Sequence, residues 1–518
     1  MYWRHSDAVS SHFRRLNFLK YTYTEKHCPD QVLTDKLRTI NTVCLDILYQ
    51  RGFTTAEQME DFLFPSVVRS LKSHPPMLDT DKAITILRNC VESHSPIVIY
   101  HDYDVDGITS AAVCTECLRA LGLEVYRYSN DRIADGFGIC AAGVDKIAVQ
   151  YPSVHTLITV DNGIAGIDGV RRAKELGMAV IVTDHHEPGD SLPNADAIVD
   201  HKRMGEPENQ YKHSCGAGVI WELMVRLYIA LGKDISVVFN TLDIVALGTV
   251  ADIVPLLGMN RAIVQEGLKM INENRRPFFR MLSEIMEFQT VDAQIVGFRI
   301  APMINAASRL GHDASPVVDL ILETDLERLK AGIVQLDEYN QERKTETERE
   351  AAVTEKILGE NFAGHIAIIK DESFHEGIVG IVAGRLKEKY GRPAAVFAKD
   401  KNGNWKGSCR SVDGFHIKHA LDACADTLLA YGGHAKAAGV TVKADRFDDF
   451  QKTMVLLAKA ATITEDTKPI DCVLPASSFT ERMVRELEIL EPCGEGERKC
   501  AYDAELECRA GAWTIAQT

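Results

Sequence analysis

Four short strings place acidic and imidazole groups at spacings that suit hard divalent cations. They are Asp102, Asp104 and Asp106 in HDYDVDG, Asp161 in VDNG, Asp184, His185 and His186 in TDHH, and Asp252 in VADIVPL. Carboxylate oxygens and imidazole nitrogens are ligands for Mn²⁺ or Mg²⁺, and the absence of cysteine from these strings disfavours a thiolate zinc site. Asp102, Asp104 and Asp106 alternate, so they would share one side of a continuing strand. Gly107 instead predicts a turn that fans them around an ion. Asp252 ends the apolar run DIVALGTVADIVPL, where a carboxylate beside so much buried surface needs a partner, and a metal ion would provide it. Each group alone has a plainer reading, since an Asp at a strand end usually caps a turn and a His-His pair is usually incidental. Four separated clusters in order on one sheet favour a dinuclear metal centre.

The elements that must position these groups follow from short apolar runs. PIVIYHD (96–102), LEVYRYS, VHTLITVD and MAVIVTD predict strands. ITSAAVCTECLRALG, GVRRAKELG and the stretches 215–231 and 236–250 predict helices. Strands alternating with helices of this length indicate βαβ units and a mainly parallel sheet, with ligands bound at the carboxyl ends of its strands. Three acidic strand ends should therefore converge on one crevice. The expected organisation is a helical leader over 1–90, an α/β catalytic domain over 91–312, and a connecting helix over 313–360 that is long, charged and exposed. A smaller α/β domain over 361–465 and a segment over 466–518 complete it.

Composition narrows the class. At 518 residues, with 46% hydrophobic and 25% charged residues, the chain can bury two or three cores. Its apolar runs are far shorter than the roughly 20 residues a membrane span needs, and its start, MYWRHSDAVSSHFRRLN, has no apolar signal core. A cytoplasmic location is expected. The formal net charge of −16 argues against a protein that coats nucleic acid by bulk electrostatics, so a nucleic-acid partner would need a local basic groove. Thirteen scattered cysteines read as reduced thiols. Cys114 and Cys117, the only C-x-x-C, read as core, as do Cys493, Cys500 and Cys508, which lack finger spacing.

The strings DYDVDG, VDNGI, TDHH and GTVADIVPL, in that order, resemble the signature motifs of the DHH phosphoesterase superfamily. RGF and FLFPS within 51–66, DRIADGFG at 131–138, VGFRIAPMINAASRLG at 296–311 and EGIVGIVAGRL at 376–386 resemble the linking segments of its RecJ family. GSCRS at 407–411 and YGGHAKAAG at 431–439 are similar to that family's DHHA1 substrate-binding elements. The resemblance runs from about 40 to 500. It implies a 5′-to-3′ exonuclease that hydrolyses single-stranded DNA to 5′-mononucleotides with two divalent ions, Mn²⁺ or Mg²⁺, in DNA repair and recombination.

By position, the resemblance implies that Asp102, Asp104, Asp106, Asp161, His185 and Asp252 hold the ions, with Asp161 bridging and Asp102 in or beside the ligand set. His186 would contact the scissile phosphate or aid the leaving group, and Asp184 would orient the histidines. Arg132, Arg309, Ser408, Arg410 and His434 match positions that hold phosphates. A single-strand-binding protein is the implied partner, and a monomer the implied state. Departures are His101 where the family has Gly, open as an added ligand, a hydrogen-bond partner or a harmless variant; Asp200-His201 where it has Asn-Pro near the end of the fourth strand; Ala307-Ser308 where Ala-Gly is usual; and EPCGEGERK. After YDAELECRAGAW the chain is expected to leave an oligonucleotide-binding barrel incomplete. Two other classes stay open: a DHH-family phosphodiesterase of short oligoribonucleotides or cyclic dinucleotides, and a non-catalytic replication scaffold, which lost ligands would mark.

Overall fold

The computed structural model describes residues 20–22, 26–130, 138–207, 213–359, 362–463, 467–469, 471–472, 474, 478 and 480–494. They fall into two compact units, divided at 26/27, 340/341 and 473/474.

In the unit containing residues 27–340, the apolar runs form β1 (Ile97–His101), β2 (Val125–Ser129), β3 (Thr156–Val160), β4 (Ala179–Thr183) and β5 (Ala197–Val199). All pair in parallel, in the order β2-β1-β3-β4-β5. Side chains alternate between the faces, so Ile97 and Ile99 enter one core while Val98 and Tyr100 enter the other. Helices cover both faces, and β1 and β3 are buried at every position, as continuous apolar strands of a parallel sheet require.

The helix after β1, α1 (Val105–Ala120), has small and apolar residues all round and is buried from Val105 to Thr115. It packs against α4 (Gly216–Ala230), α5 (Leu242–Ala251) and α8 (Ser315–Leu322). Cys114 and Cys117 lie in this core, and burial raises both thiols, which makes them inert packing groups. Further helices of this unit include α2 (Ala141–Gln150), α3 (Ile167–Glu175), α6 (Gly258–Asn272) and α7 (Ala301–Arg309), beside others at Thr42–Gln50, Ala56–Leu63, Val67–Ser73, Thr80–Ser93 and Pro277–Met286.

Three expectations need correction. Gly107 makes no turn. It lies in the first turn of α1, where a Cβ would stand 2.5 Å from the Asp102 carbonyl oxygen, so glycine is needed for close approach. The single helix expected over 236–250 is two, Ser236–Phe239 and α5, because the Thr241 hydroxyl turns back to the Val238 carbonyl at 2.8 Å. The charged helix is α9 (Leu326–Leu358), and it is not simply exposed. Leu329, Ile333, Leu336, Asn340, Thr347, Glu350 and Thr354 form a buried stripe at helical spacing.

α9 crosses from the first unit into the second. There β6 (Ala367–Lys370), β7 (Ala394–Lys399), β8 (Trp405–Arg410), β9 (Leu428–Gly433) and β10 (Ala437–Val442) form a sheet in the order β9-β10-β8-β7-β6. Only β6 and β7 are parallel, so this smaller α/β domain is mainly antiparallel. Phe397, Trp405, Phe447 and Phe450 dominate its core, and α10 (Val379–Tyr390) packs on β7 and β8. Within 466–518, Thr467–Pro469 pairs with Lys20–Thr22, and a helix at Glu481–Leu487 precedes a turn at Glu488–Leu490. YDAELECRAGAW, Cys500 and Cys508 lie outside the described residues. Among those described, no helix is long and apolar enough to cross a membrane.

Candidate metal centre

Strand register builds the centre. His101, Val160, Thr183 and Val199 stand abreast in β1, β3, β4 and β5. The residues that follow, Asp102, Asp161, Asp184 and Asp200, therefore leave the sheet side by side at its carboxyl edge. Asp161 turns there with φ of 59°, a left-handed conformation that Asp tolerates better than most residues.

Two further carboxylates come from the start of α1. Asp104 caps it, accepting the N–H groups of Asp106 (2.9 Å) and Gly107 (3.2 Å). The Val105 N–H is taken instead by Asn305 Oδ1 at 3.2 Å. Asp106 accepts the N–H groups of Gly216 (2.5 Å) and Ala217 (2.9 Å), so the N-terminus of α4 holds its charge. Asp252 caps the C-terminus of α5.

The two histidines differ in their partners. Asp184 Oδ1 accepts from the His186 ring at Nδ1 (2.7 Å) and from the His185 N–H (2.7 Å), while its Oδ2 accepts the Ile164 N–H at 2.9 Å. His185 Nε2 lies 3.0 Å from Asp161 Oδ1 and 3.7 Å from Asp106 Oδ2, and its Nδ1 lies 3.7 Å from Asp252 Oδ2. Three groups result, each able to hold a cation: Asp161 with His185 and His186, Asp106 with His185 and Asp252, and Asp102 with Asp104 and Asp161.

Electrostatics tests whether a cation fits. Asp161 is 2% exposed, and burial, then Asp106, Asp104, Asp102 and Asp252, drive its carboxyl well above the usual range. Burial, with Asp104, pushes Asp106 to about 6. Burial, with Asp106 and Asp104, pushes Asp252 to about 9. Burial and then His186 press His185 down to about 3, leaving a neutral imidazole. His186 is the reverse: burial acts to lower it, but the Asp184 hydrogen bond and charge lift it to about 9. Asp184 is correspondingly lowered, burial being outweighed by His186 and the Ile164 N–H. Asp161 Oδ1 also makes no hydrogen bond despite the nearby His185 nitrogen. A close but misaligned N···O pair, amid carboxylates that cannot all ionise together, is what two ligands of one cation present. The donor set fits oxygen-preferring divalent ions.

Arg309 ends α7 and is half-buried. Ser408 and Arg410 share one face of β8, where Arg410 Nη1 donates to Ser408 Oγ at 2.7 Å beside Gly380 of α10. His434 is exposed in the β9–β10 turn, its N–H bonded to the Ala437 carbonyl at 2.8 Å. Arg132 lies outside the described residues. His101 is a hydrogen-bond partner facing away from the carboxylates. Its Nδ1 donates to the Asp102 carbonyl at 2.7 Å, its Nε2 lies 3.4 Å from Ser315 Oγ, and burial lowers it to about 4. Asp200-His201 follows β5 rather than the fourth strand. Sequence reasoning missed Asn305, Gly216 and Asn260; the small residues opening an apolar helix at 215–218 were the available sign for Gly216.

A parallel sheet that carries carboxylates and a paired histidine at its strand ends defines a class. The model for the DHH family N-terminal domain matches residues 96–249, and that for the DHHA1 domain matches residues 361–460. The chain belongs to the RecJ family. It is 36% identical over 430 residues to the single-stranded-DNA-specific exonuclease RecJ of Escherichia coli strain K12, covering 78% of this chain and 72% of that one. It is 33% identical over 479 residues to the Bacillus subtilis strain 168 protein of the same name, covering 90% of this chain but 59% of the relative's length. Among solved structures, RecJ of Thermus thermophilus in complex with Mn²⁺ superposes with a TM-score of 0.79 at 29% identity, over 93% of this chain and 68% of that one. An exonuclease RecJ bound to manganese gives 0.65 at 32% identity, over 74% and 96%.

Proposed function

We propose that this chain is a two-metal exonuclease that releases 5′-mononucleotides from the 5′ end of single-stranded DNA. The observation that carries the proposal is the placement of the buried Asp161 carboxylate in two of the three cation-holding groups, where it can bridge. The names of the relatives supply the substrate class. Asp102, Asp104, Asp106, Asp161, His185 and Asp252 would hold two ions, Mn²⁺ or Mg²⁺, and such a pair would supply an activated water and charge neutralisation at a departing 3′ oxygen. Asp184 fixes the His186 ring through Nδ1, so contact with the scissile phosphate or leaving group falls to Nε2. Asp184 also sets the His185 backbone. Arg132, Arg309, Ser408, Arg410 and His434 hold backbone or terminal phosphates, the guanidinium forks being suited to paired contacts.

The same reading takes the chain to be a monomer that works in the cytoplasm in DNA repair and recombination, with a single-strand-binding protein as partner. Family membership supports the pathway and partner, and the lack of a membrane-crossing helix among the described residues suits the location.

Digestion of 5′-labelled and 3′-labelled single strands, duplex DNA and a short RNA, with Mn²⁺ or Mg²⁺, tests the proposal. Immediate release of the labelled 5′ mononucleotide, abolished in Asp161→Ala, is expected. Inert long DNA with rapid loss of the short RNA would replace it with a small-oligonucleotide phosphodiesterase.

A further inference from the structure

Asn260 and Arg261 lie in the first turn of α6, and both are buried. The Asn260 amide donates through Nδ2 to two carbonyls, His213 at 2.9 Å and Pro255 at 3.0 Å. His213 precedes by three residues Gly216, whose N–H, with that of Ala217, holds the Asp106 carboxylate. Pro255 follows Asp252 by three residues. One side-chain amide thus ties the segment whose N–H groups hold Asp106 to the segment that presents Asp252. With His185, these are one of the three cation-holding groups.

The loop after Asp252 needs such a tie. Ile253 sits at φ of 58°, an outlier for a β-branched residue, and is 68% exposed, so burial of its own side chain does not hold it there. Arg261 secures the other side. Its guanidinium donates to the carbonyls of Phe62 (2.7 Å), Pro492 (2.7 Å), Glu491 (2.9 Å) and Leu490 (3.1 Å) and lies 3.7 Å from the Phe62 ring centre. Three of these carbonyls cluster at the end of the Glu488–Leu490 turn, where a cation is favoured. Gly494 meets Leu256 closely enough that a Cβ would stand 2.8 Å from Leu256 Cδ1, so the returning segment also seats the loop directly.

We infer that Asn260 and Arg261 are positioning residues for the cation held by Asp106, His185 and Asp252: Asn260 fixes the separation of the two carboxylates, and Arg261 seats Asn260's helix on residues 490–492. The inference rests on the dinuclear reading above and assigns the clamp to one ion, because the two carboxylates it spaces, Asp106 and Asp252, share one cation-holding group and neither belongs to the group of Asp102 and Asp104.

The test is titration of the full chain with Mn²⁺ alone, following free Mn²⁺ by electron paramagnetic resonance. It compares wild type, Asn260→Ala, Asn260→Ser, Arg261→Met and a core control, Phe279→Leu. Asn260→Ala should weaken one of the two Mn²⁺ ions at least about tenfold while the other stays within about twofold. Asn260→Ser, which keeps one donor, should recover part of that loss. Arg261→Met should repeat the pattern if circular dichroism shows it folded, and Phe279→Leu should lower the melting temperature without it. Unchanged binding in Asn260→Ala, or loss of both ions in the proportion the core control shows, would overturn the inference. A wild type that takes up fewer than two ions would instead overturn the dinuclear reading itself.

Discussion

Gly216 is packed against Asp161 so tightly that a Cβ on Gly216 would stand 2.6 Å from the Asp161 Cβ and 2.9 Å from its Oδ1. The same glycine donates its N–H to Asp106. One residue without a side chain therefore touches two carboxylates of the centre, and α4 can bring its N-terminal dipole to them only because the position is empty. Gly216→Ala should push α4 off Asp161. A loss of about 1–3 kcal/mol of stability is expected, typical of overpacking. Mn²⁺ affinity should fall more than that loss explains, and calorimetric Mn²⁺ titration of the folded variant checks it.

Asp161 is held in the folded chain at an electrostatic cost, because it is buried and four carboxylates crowd it. Asp161→Asn should leave the metal-free protein as stable as wild type or more so. The exonuclease activity proposed for the chain should fall in this variant by more than the roughly hundredfold that loss of an outer-shell partner causes. Thermal melts in chelator, beside digestion of a 5′-labelled strand, read both effects. Parallel loss of stability and activity would mean that Asp161 is a structural group.

What the sequence made legible here was set by local rules. Short apolar runs became parallel strands because nothing else buries Ile97–Tyr100 on both faces, and the residues after them had to leave the sheet at one edge. The level register that aligns Asp102 with Asp161 and Asp184 is a pairing property between strands, and only the parallel topology implied it. The α2 helix and the three-residue β5 escaped notice because their apolar patterns are too short to stand out. Gly107 was misread because a glycine needed for close packing and one needed for a turn look alike in sequence. Asn260, Asn305 and Arg261 were not legible at all. Their roles come from bonds to backbone carbonyls or N–H groups, most of them distant in sequence, and such bonds leave no spacing signature.

The metal-free chain should lose stability as pH rises. Burial raises Asp106 to about 6 and Asp252 to about 9, so the folded state keeps protons that the unfolded state releases near 4. A raised folded pKa contributes stability that is full below the unfolded value and is lost as pH climbs through the folded one. Between about pH 4 and pH 9 the melting temperature in chelator should therefore fall, and the increment from Mn²⁺ should grow, because the ion replaces those protons. Scanning calorimetry at several pH values, with chelator and with Mn²⁺, makes the comparison. A pH-independent Mn²⁺ increment would contradict it.

Arg410 is half-buried against Ser408 on β8, and that burial lowers its pKa. If it holds a substrate phosphate, Arg410→Lys should raise KM at least about tenfold, because an ammonium cannot reproduce the fork, with a smaller change in kcat. Mn²⁺ binding should not move. Steady-state kinetics with 5′-phosphorylated and 5′-hydroxyl strands gives the readout. An equal effect on both strands would place Arg410 at an internal phosphate rather than at the terminus.

Asp200 stands in the same row as Asp102, Asp161 and Asp184, and is fully buried. Its Oδ1 accepts the Lys202 N–H at 2.8 Å, while its buried Oδ2 makes no hydrogen bond. Burial, with Asp184 adding to it, pushes this carboxyl up to about 8. Asparagine keeps the Oδ1 acceptor and carries no charge, so Asp200→Asn removes a proton-linked loss without removing the bond to Lys202. The wild-type carboxyl stabilises fully below about 4 and loses that contribution as pH rises through about 8. The difference in melting temperature should therefore shift in favour of Asp200→Asn across that window and level off above it. By pH 8 the corresponding stability difference should reach at least about 1 kcal/mol, roughly one pKa unit's worth. Paired melts in chelator from pH 5 to 9 measure it, and a difference that stays flat would show that the wild-type carboxylate ionises in place without penalty.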